Sequence, residues 1–220
     1  MTRRAPNLAL SAPILALTLA TAAFGAPASA PITASKPATA DAKTPAAVDS
    51  LGQLERAVAK DSTKFDNLYK LGVMYLDRDK SAEAVKVFTK AVKLRPNDTK
   101  ALVNLGAALD AAGNAEPAQA YYRQALKGAP GDSVAMCRLA SSLYASAKTA
   151  EAVDLLRQVI KNKPSSYCAY FTLGVAFADA GIYKDAVRMW KKVVELAPTS
   201  PEAISAKESI EVLERVIQGK

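Results

Sequence analysis

Residues 65–98 read FDNLYKLGVMYLDRDKSAEAVKVFTKAVKLRPND, and residues 99–132, TKALVNLGAALDAAGNAEPAQAYYRQALKGAPGD, repeat the pattern without an insertion. Two more units, 133–166 and 167–200, follow in the same register. Pro96, Pro130, Pro164 and Pro198 fall 34 residues apart, and Gly72, Gly106, Ala140 and Gly174 each precede their proline by 24. A fixed period of this length marks stacked supersecondary units, each too small to bury its own apolar face.

Eight positions carry the pattern. In the first unit they are Leu68, Leu71, Gly72, Tyr75, Ala84, Phe88, Ala91 and Pro96. The second has Leu102, Leu105, Gly106, Leu109, Ala118, Tyr122, Ala125 and Pro130; the third has Met136, Leu139, Ala140, Leu143, Ala152, Leu156, Val159 and Pro164. The fourth has Tyr170, Leu173, Gly174, Phe177, Ala186, Trp190, Val193 and Pro198. These residues, at positions 4, 7, 8, 11, 20, 24, 27 and 32 of each unit, resemble the tetratricopeptide repeat almost position for position. The resemblance implies an all-α fold, a right-handed α-solenoid of helix-turn-helix repeats, whose usual business is binding other proteins.

Elementary physics accounts for the pattern. Large apolar residues at positions 4, 7 and 11 form one stripe of a first helix, which faces positions 20, 24 and 27 of a second. Small residues at 8 and 20 let the two backbones approach. Proline at 32 ends the second helix, because it lacks an amide hydrogen and biases the residue before it away from helical geometry. Asp98, Asp132, Ser166 and Ser200 then stand where a side chain can cap the next helix. In the turn between the helices, Gly113 and Gly181 accommodate a left-handed backbone; Asp79 and Ala147 take their place in the first and third units, and Ala147 predicts a looser turn.

The flanks differ. Arg3 and Arg4 precede an uncharged apolar run from Leu8 to Phe24, which reads as an export signal cut after Gly25 or, by preference, after Ala28. The run contains Pro13 and at 17 residues is short for a bilayer span, which needs ~20. Residues 1–28 are thus expected to be a signal peptide, and residues 29–49, rich in Ala, Pro, Thr and Lys, a flexible linker. Residues 50–64 are expected to be a partial leading repeat, whose helix Leu51 to Lys60 places Leu54 and Ala57 at positions 24 and 27. At the other end, residues 201–217 are expected to form a helix capping the stack through Ile204, Ile210, Leu213 and Ile217. The expected location is the periplasm or the exterior of a bacterium.

The chain lacks histidine, the commonest general base and metal ligand. No phosphate loop or metal motif is present, so neither an enzyme nor a cofactor is expected. The net charge of +8 drops to 27 basic against 21 acidic residues once Arg3 and Arg4 are removed. Lys86, Lys90, Lys93 and Arg95, like Lys184, Arg188, Lys191 and Lys192, read as solvated helix faces interspersed with Glu83, Asp185 and Glu195, and no nucleic-acid or small-molecule partner is expected.

In the repeats it resembles, positions 2, 5, 9, 12 and 13 of the first helices line a concave groove. Here the resemblance assigns that lining to Tyr69, Val73, Leu76, Val103, Ala107, Val134, Ser141, Tyr144, Phe171 and Val175, together with Cys137. The lining is mainly apolar and suits an apolar peptide or a partner helix. Some relatives grip a peptide's terminal carboxylate at this face, but of the corresponding residues Tyr69, Val73, Asn104, Val134 and Arg138 only Asn104 and Arg138 match, so no such clamp is expected. For Cys137 and Cys168, 31 residues apart, two states stay open: a disulfide between adjacent repeats, or two free, half-buried thiols. The expected function is a protein-binding scaffold of the cell envelope. A self-assembling oligomer is the alternative, and a thiol-dependent enzyme the least favoured.

Overall fold

The computed structural model describes residues 45–219, with side chains from Ser50 onward, and the regular elements among them are all α-helices. Residues 1–28 and most of the linker lie outside the described residues. The first helix, α1 (Pro45–Lys60), begins inside the 29–49 stretch read as linker, so that boundary moves back to Pro45. Helices α2 (Phe65–Leu76) and α3 (Ser81–Leu94) form the first repeat, α4 (Thr99–Ala111) and α5 (Ala115–Gly128) the second. The third is α6 (Ser133–Ala145) with α7 (Thr149–Asn162), the fourth α8 (Tyr167–Asp179) with α9 (Tyr183–Leu196), and α10 (Pro201–Ile217) follows. Among the described residues no helix is long and apolar enough to cross a membrane.

The period sets the packing. Within each repeat the two helices pack antiparallel, and each second helix packs on the first helix of the next unit. The backbones of the first helices also approach one another, α2 to α4, α4 to α6 and α6 to α8, whereas among the described residues those of the second helices do not, α5 and α7 meeting through the long side chains of Arg123 and Glu151 at 2.7 Å. The first helices therefore form the inner, concave layer and the second helices the outer one.

The closest approach within a repeat is at position 8. A Cβ placed on Gly72 would lie 2.6 Å from the Phe88 ring, and one on Gly106 would lie 2.5 Å from the Tyr122 ring. Both rings are fully buried, which is worth roughly 1.5–3 kcal/mol for each such side chain. Gly174 meets the Trp190 ring in the same way. The third repeat has Ala140 at this position, and its partner at position 24 is the smaller Leu156; both are fully buried. Glycine thus accompanies an aromatic residue, and alanine an aliphatic one.

The caps at Asp98, Asp132 and Ser200 are made. The Ala101 N–H donates to Asp98 Oδ1 at 2.8 Å, Val134 and Ala135 N–H to Asp132 Oδ1 at 2.9 and 3.2 Å, and Ala203 N–H to Ser200 Oγ at 3.1 Å. Ser166 is the exception: its hydroxyl makes no cap to α8 and turns to the two cysteine sulfurs.

All four helix-to-helix turns have one geometry. Position 15 is left-handed in each, with φ of 56° at Asp79, 80° at Gly113, 60° at Ala147 and 74° at Gly181. The Lys148 N–H donates to the Leu143 carbonyl at 2.9 Å, as Asn114 does to Leu109 at 2.8 Å. The turn at Ala147 is therefore not looser. The i→i+5 bond holds an alanine where its Cβ is disfavoured, at about 1–2 kcal/mol. Ala147→Gly is expected to raise stability by about 0.5–1 kcal/mol, the relief of that strain less the extra entropy glycine brings to the unfolded chain. The urea midpoint checks it, and a lower midpoint would contradict it.

At the carboxyl end Ala203 and Ala206 are buried against Ala186, Trp190 and Val193, with Ile210 and Leu213 packed beside them. Ile204 and Ile217, expected on that face, are exposed. In repeat register α10 uses positions 3, 6 and 10 to pack backwards on its predecessor, as buried Ala101 and Ala169 do at position 3 of α4 and α8. Ile204, at position 4, corresponds to the residues that face a second helix in the four repeats, and here it is exposed.

Candidate functional site: the concave face

The inner helices are joined across repeat boundaries by a series of side-chain bonds. Asn104 Nδ2 donates to the Tyr69 hydroxyl at 2.8 Å, linking α4 to α2. Ser142 Oγ donates to Asp110 Oδ1 at 2.8 Å, linking α6 to α4. Between α6 and α8, Ser141 and Thr172 share a hydroxyl hydrogen bond of 3.2 Å, the Tyr144 hydroxyl donates to Asp179, and Cys137 and Cys168 form a disulfide with a Cα separation of 6.3 Å. The last span falls inside the range a disulfide can bridge.

Behind this face lies a polar core. The Tyr122 hydroxyl donates to Asp110 Oδ2 at 2.9 Å, and Gln119 Nε2 donates to the Ser142 carbonyl at 3.2 Å and to Ser146 Oγ at 3.0 Å. Arg138 is buried; its desolvation pulls the guanidinium down, and the charges of nearby groups including Asp110 and Glu202 oppose this. Burial raises the Asp110 carboxyl above the usual aspartate range, against the lowering bonds from Ser142 and Tyr122. Its contribution to stability is fully present below the ordinary aspartate range and is lost as pH rises through the raised value. Wild type is expected to gain on Asp110→Asn as the pH falls from neutrality toward ~4. Paired urea denaturations check this, and a difference flat in pH would contradict it.

The structure places the expected groove residues unevenly. Tyr69, Val73 and Leu76 on α2, Val134 and Tyr144 on α6, and Phe171 and Val175 on α8 are half-buried, and Ser141 is exposed. Val103, Ala107 and Cys137 are buried, with 2%, 8% and 4% of their surface exposed, so they belong to the floor and offer little side chain to a ligand. Burial also raises the Tyr69 hydroxyl, with its bond from Asn104 acting the other way, and raises that of Tyr144, where Asp179 adds to it. Both phenols are neutral donors or acceptors at neutral pH.

Asn104 and Arg138 are drawn into the fold: Asn104 is 1% exposed, and its Oδ1 has no hydrogen-bond partner among the described residues. Sequence reasoning missed Asp110, Thr172 and Asp179, and for Ser166, read as a cap, it missed the contact with the sulfurs. The only signal for the first three is a spacing of 31 to 35 residues, close to one repeat, from the residues they bond. On the outer layer the lysine clusters are partly neutralised: Arg188 pairs with Asp185, Lys192 with Glu195, and Lys191 with Glu214. At the amino end the Tyr75 hydroxyl donates to Glu55 Oε1 at 2.9 Å, tying α2 to α1; burial first, then Glu55, pushes this phenol up to about 12.

A family model described as tetratricopeptide repeat matches residues 69–133 and 137–201, together more than half of the chain.

The chain belongs to the tetratricopeptide repeat family.

No curated protein sequence matches it. Among solved structures it is similar to MamA from Desulfovibrio magneticus RS-1, at 22% identity and a TM-score of 0.59, covering 70% of this chain and 87% of that one. It is also similar to YrrB, described as a TPR protein with an unusual peptide-binding site, at 22% identity and a TM-score of 0.56, covering 74% and 86%. TTC0263, a thermophilic TPR protein of Thermus thermophilus, aligns at 17% identity with a TM-score of 0.63, covering 73% and 89%. At these identities the likeness is one of fold. Within that fold the position-8 and position-24 pairs hold each tetratricopeptide repeat together, and the cross-repeat bonds hold one repeat to the next.

Proposed function

We propose that this tetratricopeptide repeat chain is an exported, non-enzymatic scaffold that binds an apolar peptide or a partner helix along its concave face. The observation that carries the reading is the row of half-buried apolar and aromatic side chains, Tyr69, Val73, Leu76, Tyr144, Phe171 and Val175, on α2, α6 and α8, which are braced in series with α4 between the first two. Bracing lowers the ordering cost of binding, because the receiving surface is already fixed. The amino-terminal signal supports a periplasmic or secreted setting. Self-assembly through the carboxyl end is opposed by Lys207, Glu208 and Glu211, which stand where the other repeats carry leucine, glycine or alanine, and an apolar residue.

A photo-crosslinker at Tyr69, Tyr144 or Phe171 is expected to capture one partner that the same group at Lys90, on the outer layer, does not. Phe171→Ala or Tyr69→Ala should weaken that partner's binding by about 10–30-fold, the scale of a buried aromatic anchor. Equal capture from both faces, or aromatic truncations without effect, would remove the groove reading.

A further inference from the structure

We infer that Ser166 and the Cys137–Cys168 pair form a thiol–disulfide switch at the amino end of α8, in which the serine hydroxyl caps the helix only when the disulfide is open. Four helices follow the proline of a repeat. Three of them, α4, α6 and α10, are capped by the side chain that precedes them, and α8 is not. Ser166 is a good capping residue, and its backbone, at φ −79° and ψ 86°, is close to that of the capping Asp132 at −68° and 99°. What differs is the hydroxyl, which lies 3.2 Å from Cys168 Sγ and 3.8 Å from Cys137 Sγ. The Ala169 N–H, the counterpart of Ala101, Ala135 and Ala203, donates to the Ser166 carbonyl at 3.1 Å, and the disulfide holds the hydroxyl that would otherwise accept from it as well, as the Ala203 N–H is shared between the Ser200 carbonyl and hydroxyl.

The chemistry follows from exposure. Cys137 is 4% exposed and Cys168 is half-buried at the second residue of α8. One thiolate of a dithiol reductant reaches Cys168 Sγ and forms a mixed disulfide; the Cys137 sulfur leaves as a thiolate and takes up a proton. The second thiol of the reductant then attacks its own half of the mixed disulfide. Cys168 is released, and the reductant closes into a cyclic disulfide, having delivered two electrons and two protons. Cys168 then sits at a helix amino terminus, where the dipole favours its thiolate, and Ser166 is free to turn to Ala169. Phe171 and Val175 lie on the same helix within about two turns, so the redox state reaches the groove through α8.

Residue-resolved hydrogen exchange on the full chain tests this. In the disulfide form, Ser166→Ala should leave the Ala169 amide rate unchanged. In the dithiol form, prepared with dithiothreitol, the same substitution should speed it about fivefold, the worth of one serine cap. Cys137→Ala with Cys168→Ala supplies the open state if the reduced protein is not stable enough. An equal effect of Ser166→Ala in both forms, or none in the open form, would overturn the switch. The Ala169 amide proton of the unsubstituted chain gives a second readout: its NMR shift should move downfield on reduction, and a stationary shift would count against the proposal.

Discussion

Phe88→Ala is expected to lower the unfolding free energy by about 3–5 kcal/mol, the cost of removing a buried ring and leaving its cavity. The ring is fully buried between α2 and α3 and stands edge-on to Tyr69 at 5.9 Å between centroids, so the loss reaches the groove. Its glycine partner sharpens the test. Gly72→Ala gains helix propensity of about 1 kcal/mol, yet its Cβ would meet three ring atoms at 2.6–2.8 Å. Overpacking of that kind costs about 1–3 kcal/mol. Gly72→Ala combined with Phe88→Leu should cost less than the sum of the two changes, because it installs the Ala140 and Leu156 pair of the third repeat. Urea denaturation of the two single variants and the double one measures the coupling, expected at about 0.5–3 kcal/mol. Simple additivity would show that the two positions do not determine each other.

Opening the disulfide has an effect of similar size. Cys137 and Cys168 close a loop with a sequence separation of 31, for which constraint of the unfolded chain is worth about 2–4 kcal/mol. The expected result is a thermal midpoint lowered by Cys137→Ala with Cys168→Ala and insensitive to reductant in that variant. The drop should exceed that of either neighbouring polar link, Ser141→Ala or Tyr144→Phe, since those remove a hydrogen bond worth about 0.5–1.5 kcal/mol. A midpoint unchanged by reductant in the unsubstituted chain would mean that the bond adds nothing to the fold.

The array was legible because its signals are local and recur. The prolines marked the helix ends, and the eight positions named the large buried rings Phe88, Tyr122 and Trp190, though not the small buried residues such as Ala101, Ala135 and Ala169 that pack one repeat on the next. Asp98 and Asp132 announced their caps. Ser166 did not follow them, because its hydroxyl turns to the sulfurs of a disulfide whose second half, Cys137, lies 29 residues away and becomes a neighbour only once the repeats stack. The same reason hid Tyr69 from Asn104 and Tyr144 from Asp179. Ala147 misled in a different way: its composition argued for a slack turn, but the i→i+5 bond from Lys148 dictates the backbone whatever residue is there. For the groove, register identified the helices and face; it could not show how deep each side chain sits, so Val103 and Ala107 were counted with the surface.

The backward-packing register of α10 bears on how such a chain can change its length. Its buried alanines repeat the contact that each inner helix makes with the unit before it, and its charged positions 7, 8 and 11 close the series. A copied 34-residue unit placed between Ser200 and Pro201 would meet a familiar surface on both sides. Growth is therefore permitted inside the array, so a duplication of the gene segment could lengthen the groove while α10 keeps its contact with the unit before it.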